Sequence, residues 1–278
     1  MSEKRKTAWL LLLVVIFYIS ALQANQTSPQ RIITLSPHLA ELVVLLGAGD
    51  RLLGVVEHSD FPEQVKMIPR VGGAAGLDLE QILSIKPDLI LAWHGGTRET
   101  DIVRLKQLGL RVVSINSETL QDIPDSIKII GLLLNQQQRA TGLIEEFNTR
   151  LKQISERNKN RALHPVFIEI SSQPLMGLTN RHPFAAGLEL CGLINIFPEQ
   201  DKAAIITDIE SVFSRNVEYV LLRQGVTNNE KLARRNFYQI NDDRTIVFVS
   251  FDEDIAFRQT PRLLYAVIYV CNTVNASK

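Results

Sequence analysis

The sequence predicts an α/β protein built as two Rossmann-like lobes joined by one long backbone α-helix, with a ligand cleft between the lobes. Three observations lead there. Short β-rich runs alternate with helical patterns on both sides of the chain's middle, as in parallel-sheet α/β architecture. The middle, from Gln121 to about Arg157, holds no strand pattern and is rich in helix formers. A helix–strand unit in the first part returns in the second at an offset of 130 residues. The expected units are an N-terminal lobe over 31–120, a helical connection over 121–160 and a C-terminal lobe over 161–278.

Each element has a local reason. Arg31 to Leu35 reads as a strand, after which Ser36 suits a helix N-cap and Pro37 the first helical position. That helix runs through Glu41 and Leu42 to Gly47, a natural C-terminal stop. Leu52 to Val56, Asp88 to Trp93 and Arg111 to Ile115 read as strands, with helices over Leu79 to Ile85 and Glu99 to Leu108. In the connection Leu143, Phe147, Leu151 and Ile154 form one apolar stripe, with Glu145, Glu146, Arg150 and Lys152 mostly off it. A helix from Asn135 to Arg157 would span about 34 Å at 1.5 Å per residue, enough to bridge two lobes. Val166 to Ile170, Tyr219 to Leu222 and Ile246 to Ser250 then read as strands, and Thr260 to Asn272 as a terminal helix.

The repeat pairs residues 78–91 with residues 208–221. Asp78 and Asp208 fit N-caps, and Glu80 and Glu210 fall in the first turn, where the helix dipole favours a carboxylate. Ile82 with Val212, and Leu83 with Phe213, are expected to pack inward before each strand.

At 278 residues, with 45% apolar side chains, the chain has room for two domains or one large one. Its 30 basic and 30 acidic groups argue against a nucleic-acid partner. Residues 1–24 read as a secretory signal: Lys4, Arg5 and Lys6 precede an apolar run from Ala8 to Ser20, and Leu22-Gln23-Ala24 offers a cleavage site. The run is shorter than the roughly 20 residues of a membrane helix. Removing residues 1–24 leaves 27 basic and 29 acidic groups, a net charge of −2. The expected location is a bacterial periplasm. Cys191 and Cys271 are an even count in an exported chain, consistent with a disulfide closing a loop of about 80 residues, or with two buried thiols.

The chain carries no GxSxG, HExxH, P-loop or post-strand GxGxxG motif. Gly72-Gly73 and Gly95-Gly96 read as turn chemistry. His38, His58 and His94 each follow a strand's C-terminal end, the edge that faces the ligand crevice in α/β sheets. Two readings stand: three imidazoles that meet at a metal, or three loop histidines that never converge. Phe61 and Trp93 share that rim, while Leu175 and Asp254, Phe257 and Arg258 follow strands of the second lobe. Together they outline a mostly apolar cleft with few polar handles.

Several short stretches, in order, carry a family resemblance: Ile33-Thr34-Leu35-Ser36-Pro37 with Glu41-Leu42, Ser59-Asp60-Phe61-Pro62, Leu79-Glu80, Lys86-Pro87-Asp88-Leu89, Ala92-Trp93 with Gly95-Gly96, Leu190-Cys191-Gly192, Asn195-Ile196-Phe197, Pro261-Arg262 and Cys271-Asn272. Over residues 31–275 the chain resembles the periplasmic solute-binding proteins of bacterial ABC importers whose lobes are joined by a helical backbone, and among them the cobalamin (vitamin B12) receptors. The resemblance implies a carrier, not an enzyme, acting as a monomer without a cofactor of its own. Its ligand would be a corrinoid or related metal chelate, held by Pro37, His38, Phe61, Trp93, His94, Leu175, Asp254 and Arg258. It implies a Cys191–Cys271 disulfide, and docking of Glu80 and Glu210 onto arginines of an inner-membrane permease.

The chain also departs from those receptors. Gly72-Gly73-Ala74-Ala75 stands where they carry a tryptophan or tyrosine, Ala204 about where another tryptophan is expected, and Leu175 in place of a phenylalanine. Each lost ring removes about 150–250 Å² of potential contact. Weaker cobalamin binding or a different chelate follows. The alternatives are a siderophore, haem or bare transition-metal carrier using His38, His58 and His94, and, more remotely, an exported metal-dependent hydrolase with Asp60 or Asp254 as general base.

Overall fold

A computed structural model describes residues 28–225, 236 and 246–276. The expected signal segment, 1–24, lies outside the described residues.

The first lobe opens with β1 (Ile32–Thr34), α1 (Pro37–Leu45) and β2 (Leu52–Val55). A two-stranded hairpin, β3 (Gly72–Gly73) and β4 (Gly76–Leu77), leads into α2 (Leu79–Ile85). Then come β5 (Leu89–Trp93), α3 (Glu99–Gln107) and β6 (Val112–Ile115). The four longer strands form a parallel sheet in the order β2-β1-β5-β6.

The connection is two helices, α4 (Asp122–Leu133) and α5 (Gln137–Asn158). Asn135, in left-handed backbone with φ 58°, separates them. They pack closely, and a Cβ on Gly131 would lie 2.5 Å from that of Ala140. The 22 residues of α5 span about 33 Å. Phe147 and Ile154 are buried on it, with Leu143 and Leu151 packed partly against the same core, so the expected stripe forms.

The second lobe contains β7 (His164–Ser172), β8 (Leu175–Leu178), α6 (Pro183–Glu189), β9 (Leu193–Asn195), β10 (Ala204–Ile206), α7 (Ile209–Ser214), β11 (Tyr219–Arg223), β12 (Val247–Phe251), α8 (Glu253–Ala256) and α9 (Leu263–Ala276). Its sheet runs β10-β8-β7-β11-β12, with β9 also on β7. Strand β7 is longer than expected because it serves twice. Its first half pairs in parallel with β9 and β11, and its second half pairs antiparallel with β8. The second-lobe elements missing from the sequence reading (β8, β9, β10, α6 and α8) span three to seven residues each, too short for periodicity to mark.

Period-two alternation divides the core identically in both lobes. Ile32, Leu89 and Leu91 of the first sheet, and Val166, Ile168, Tyr219 and Leu221 of the second, face one continuous core shared with Phe147 and Ile154. Ile33, Ile90 and Ala92 face a separate first-lobe cluster, and Phe167, Val220 and Leu222 a separate second-lobe one. Cys191 and Cys271 are disulfide-bonded, with Cα atoms 5.8 Å apart, and tie the end of α6 to α9 within the shared core.

Three local expectations are corrected. Ser36 occupies the N-cap position, but its hydroxyl makes no capping bond and lies 3.2 Å from His38 Nδ1 instead. Leu83 is exposed rather than inward, because only Ile82 of that pair faces the sheet. The last helix starts at Leu263 rather than Thr260, since the Thr260 hydroxyl and Arg262 both turn to Glu41 of the first lobe.

Candidate ligand cleft

The C-terminal ends of the parallel strands gather most of the expected residues, in keeping with the topology of an open α/β sheet. Strand β1 delivers Ser36, Pro37 and His38; β2 delivers the segment Glu57 to Phe61; β5 delivers Trp93 and His94; β12 delivers Asp254 and Arg258.

His38 is buried, with its ring edge-on to Trp93 at 5.1 Å and 88°. Burial first, and the nearby Arg258 charge second, hold its pKa down to about 3. The imidazole is therefore neutral across ordinary pH. Trp93 can lie as it does because position 96 is glycine: a Cβ there would sit 1.8 Å from Trp93 Cε3. Gly73 plays the same part for Glu57, whose Oε2 would be 2.0 Å from an added Cβ. Gly72 and Gly95 supply φ values of 143° and 79°. The glycine pairs thus combine the expected turn chemistry with close approach. The buried indole Nε1 of Trp93 has no hydrogen-bond partner among the described residues.

A cavity of about 290 Å³ opens on this rim, lined by Ser36, Pro37, Glu57, His58, Trp93 and Arg98 among others. A second hollow, of about 920 Å³, lies in the second lobe between Ala204–Asp208, Phe197–Lys202 and Arg215. Ala74 lines the first and Ala204 the second, so two of the small residues that replace expected rings stand beside open space.

Arg258 reaches across the lobes. Its Nη2 donates to Asp60 Oδ1 at 2.5 Å and to the His58 carbonyl at 3.1 Å, with Asp254 Oδ1 3.6 Å away. The Arg262 guanidinium lies over the Phe61 ring, 3.4 Å from its centroid. The structure therefore brings together Pro37, His38 and Trp93 on one side, and Phe61, Asp254 and Arg258 on the other. Leu175 is elsewhere, buried against Phe167 and Ile196 in the second-lobe core. His58 and His94 are exposed while His38 is buried. Among the described residues no group of three His, Cys, Asp or Glu side chains is placed to hold a metal ion.

Glu80 and Glu210 are exposed in the first turns of α2 and α7. Both helices carry the expected caps: Asp78 Oδ1 accepts from Gln81 N at 3.0 Å, and Asp208 Oδ1 from Ser211 N at 2.7 Å. No described helix is long and apolar enough to cross a membrane.

Sequence reasoning missed Glu41, Thr260 and Arg262 as a group, although it quoted Glu41 and Arg262 in separate stretches. Their contact spans 219 residues at Glu41–Thr260, and no local pattern encodes it.

The model of the family described as periplasmic binding protein matches residues 32–240. The chain belongs to that family. Among curated relatives, the vitamin B12-binding protein of Pectobacterium carotovorum is 30% identical over 251 residues, 89% of this chain and 89% of the relative. That of Vibrio cholerae is 28% identical over 256 residues, 92% and 93% of the two chains. Among solved structures, the periplasmic vitamin B12 binding protein BtuF of Vibrio cholerae superposes with a TM-score of 0.78 at 27% identity, covering 90% of this chain and 98% of that one. The haem-binding protein BhuT, in complex with two haems, has a TM-score of 0.77 at 21% identity, covering 88% and 97%, and shares the fold. This periplasmic binding protein thus has the two-lobe α/β architecture read from its sequence, including the long connecting helix.

Proposed function

We propose that the protein is a periplasmic carrier that captures a corrinoid or related metal chelate between its lobes and delivers it to an inner-membrane ABC importer. The observation that carries this reading is similarity to vitamin B12-binding proteins along about nine-tenths of the chain, in sequence and in fold alike. The rim supports it: Trp93, set upright against a neutral His38, offers an apolar wall beside a cavity that Glu57, His58 and Arg98 edge with polar groups. The chelate is cargo, and the protein carries no cofactor of its own. Residues 1–24 direct export, Glu80 and Glu210 meet the permease, and the carrier acts as a monomer.

Calorimetric titration of the purified mature protein with cyanocobalamin tests the ligand. Saturable heat is the expected result. Absence of heat with protein at about 0.1 mM, a concentration at which micromolar binding is readily detected, removes cobalamin as cargo.

A second reading, haem or an iron siderophore, is favoured by one observation. Ala74 and Ala204 leave space in the two hollows where ring-stacking side chains were expected. Titration with haem and with a ferric siderophore separates these from cobalamin.

A further inference from the structure

The segment Arg258 to Arg262 of the second lobe is fastened to Glu41, His58, Asp60 and Phe61 of the first lobe. Thr260 Oγ1 donates to Glu41 Oε1 at 2.7 Å. Arg262 Nε lies 3.0 Å from the same oxygen, off the line of an ideal hydrogen bond, so charge rather than a directed bond holds that pair. Arg258 bridges to Asp60 and the His58 carbonyl, and Arg262 covers Phe61.

Glu41 is wholly buried, midway along α1 of the first lobe. Burial pushes its carboxyl above the usual range, against the opposing pull of Arg262, Thr260 and Arg258. Its second oxygen has no hydrogen-bond partner among the described residues. A carboxylate placed there for local stability alone would be a poor choice, because its partners come entirely from the other lobe. Its position makes sense if the contact sets how the lobes sit.

We propose that Glu41 and Arg262 form an inter-lobe latch, assisted by Arg258–Asp60, which fixes the separation of the lobes before ligand arrives and fixes the Phe61 ring beneath the Arg262 guanidinium. Both are positioning residues. The latch acts alongside α5: the helix ties the lobes along one side, and the latch ties them at the rim of the cleft. A carrier held this way meets its ligand with the cleft already set, so little binding energy is spent on closure.

Pulsed electron resonance tests it on the full mature chain with its disulfide intact. Spin labels go on single introduced cysteines at Lys106 of the first lobe and Lys202 of the second, both exposed. The unligated parent should give one narrow distance distribution. Glu41→Gln should give a broader one shifted to longer distance, and Asp60→Asn a smaller change in the same direction. Asp60 is partly exposed, so this second variant keeps the test sound if Glu41→Gln fails to fold. Arg262→Lys keeps the charge but not the flat contact with Phe61, and should retain most of the parent's distribution. Distributions identical to the parent's in folded Glu41→Gln and Asp60→Asn overturn the latch. The affinity readout rests on the proposed cargo: cyanocobalamin binding should weaken about tenfold in Glu41→Gln if the competent population falls to a tenth. A parent that binds no cyanocobalamin refutes the cargo and leaves the distance test standing.

Discussion

Lys86 and Asn216, 130 residues apart, both take left-handed backbone, with φ of 49° and 55°, at the exits of helices α2 and α7. Neither is glycine. Each follows an aspartate-capped helix and turns the chain into a central parallel strand, β5 in one lobe and β11 in the other. Ser84 and Ser214 repeat the relationship, each hydroxyl donating to the carbonyl three residues back. The repeat is thus structural as well as sequential. It places Glu80 and Glu210 at equivalent points of two similar lobes.

That equivalence makes the docking assignment testable. Glu80→Arg and Glu210→Arg should each lower uptake of labelled ligand by whole cells, and together abolish it, while calorimetric affinity for the ligand stays at the parent value. Undiminished uptake by the double variant removes both glutamates from the docking surface.

Gly96→Ala should disturb the cleft directly. The new methyl would overlap the Trp93 ring, and overpacking of this kind costs about 1–3 kcal/mol. Thermal unfolding should shift down, the indole emission should change, and affinity for cyanocobalamin should fall.

Acid should weaken the fold through His38. Its folded pKa, about 3, lies below the ordinary 6.5, so the folded state resists protonation more than the unfolded chain does. The stability contributed by a neutral ring is therefore complete above pH 6.5 and is lost as pH falls from there toward 3. His38→Gln removes this dependence. The difference in melting temperature between parent and His38→Gln, followed from pH 7 to pH 4 (~0.5-unit steps), should narrow on acidification; a constant difference contradicts the assignment.

Removing the Cys191–Cys271 bond should cost about 4–5 kcal/mol in the chain-entropy account, since it closes an 80-residue separation. Urea unfolding of the parent and of a Cys191→Ala/Cys271→Ala double variant measures the loss. An unchanged midpoint would show that the bond constrains nothing beyond the core packing of α6 on α9.

Arg262→Met leaves the buried Glu41 carboxylate without its cation, and breaking such a pair costs about 3–5 kcal/mol. Glu41→Gln combined with Arg262→Met should recover part of that loss. A double-mutant cycle by chemical denaturation should then give a coupling of about 1–3 kcal/mol, and additivity would show the two side chains do not interact.

Features that depend on neighbours along the chain were legible before the fold was known. The longer strands and helices, the apolar stripe of α5 and the aspartate caps at 78 and 208 arise from periodicities and capping chemistry within a few residues, and the same local signals recur 130 residues on. Tertiary structure decided what depends on distant partners. It buried His38 under Trp93 while leaving His58 and His94 exposed, withdrew Leu175 into the second-lobe core, and spent Thr260 and Arg262 on Glu41 instead of on the last helix. The physical reason is burial. Whether a polar side chain is neutral, paired or open to ligand depends on how much water it loses and which charge it meets. Across a separation of 219 residues only the packing of two lobes settles that.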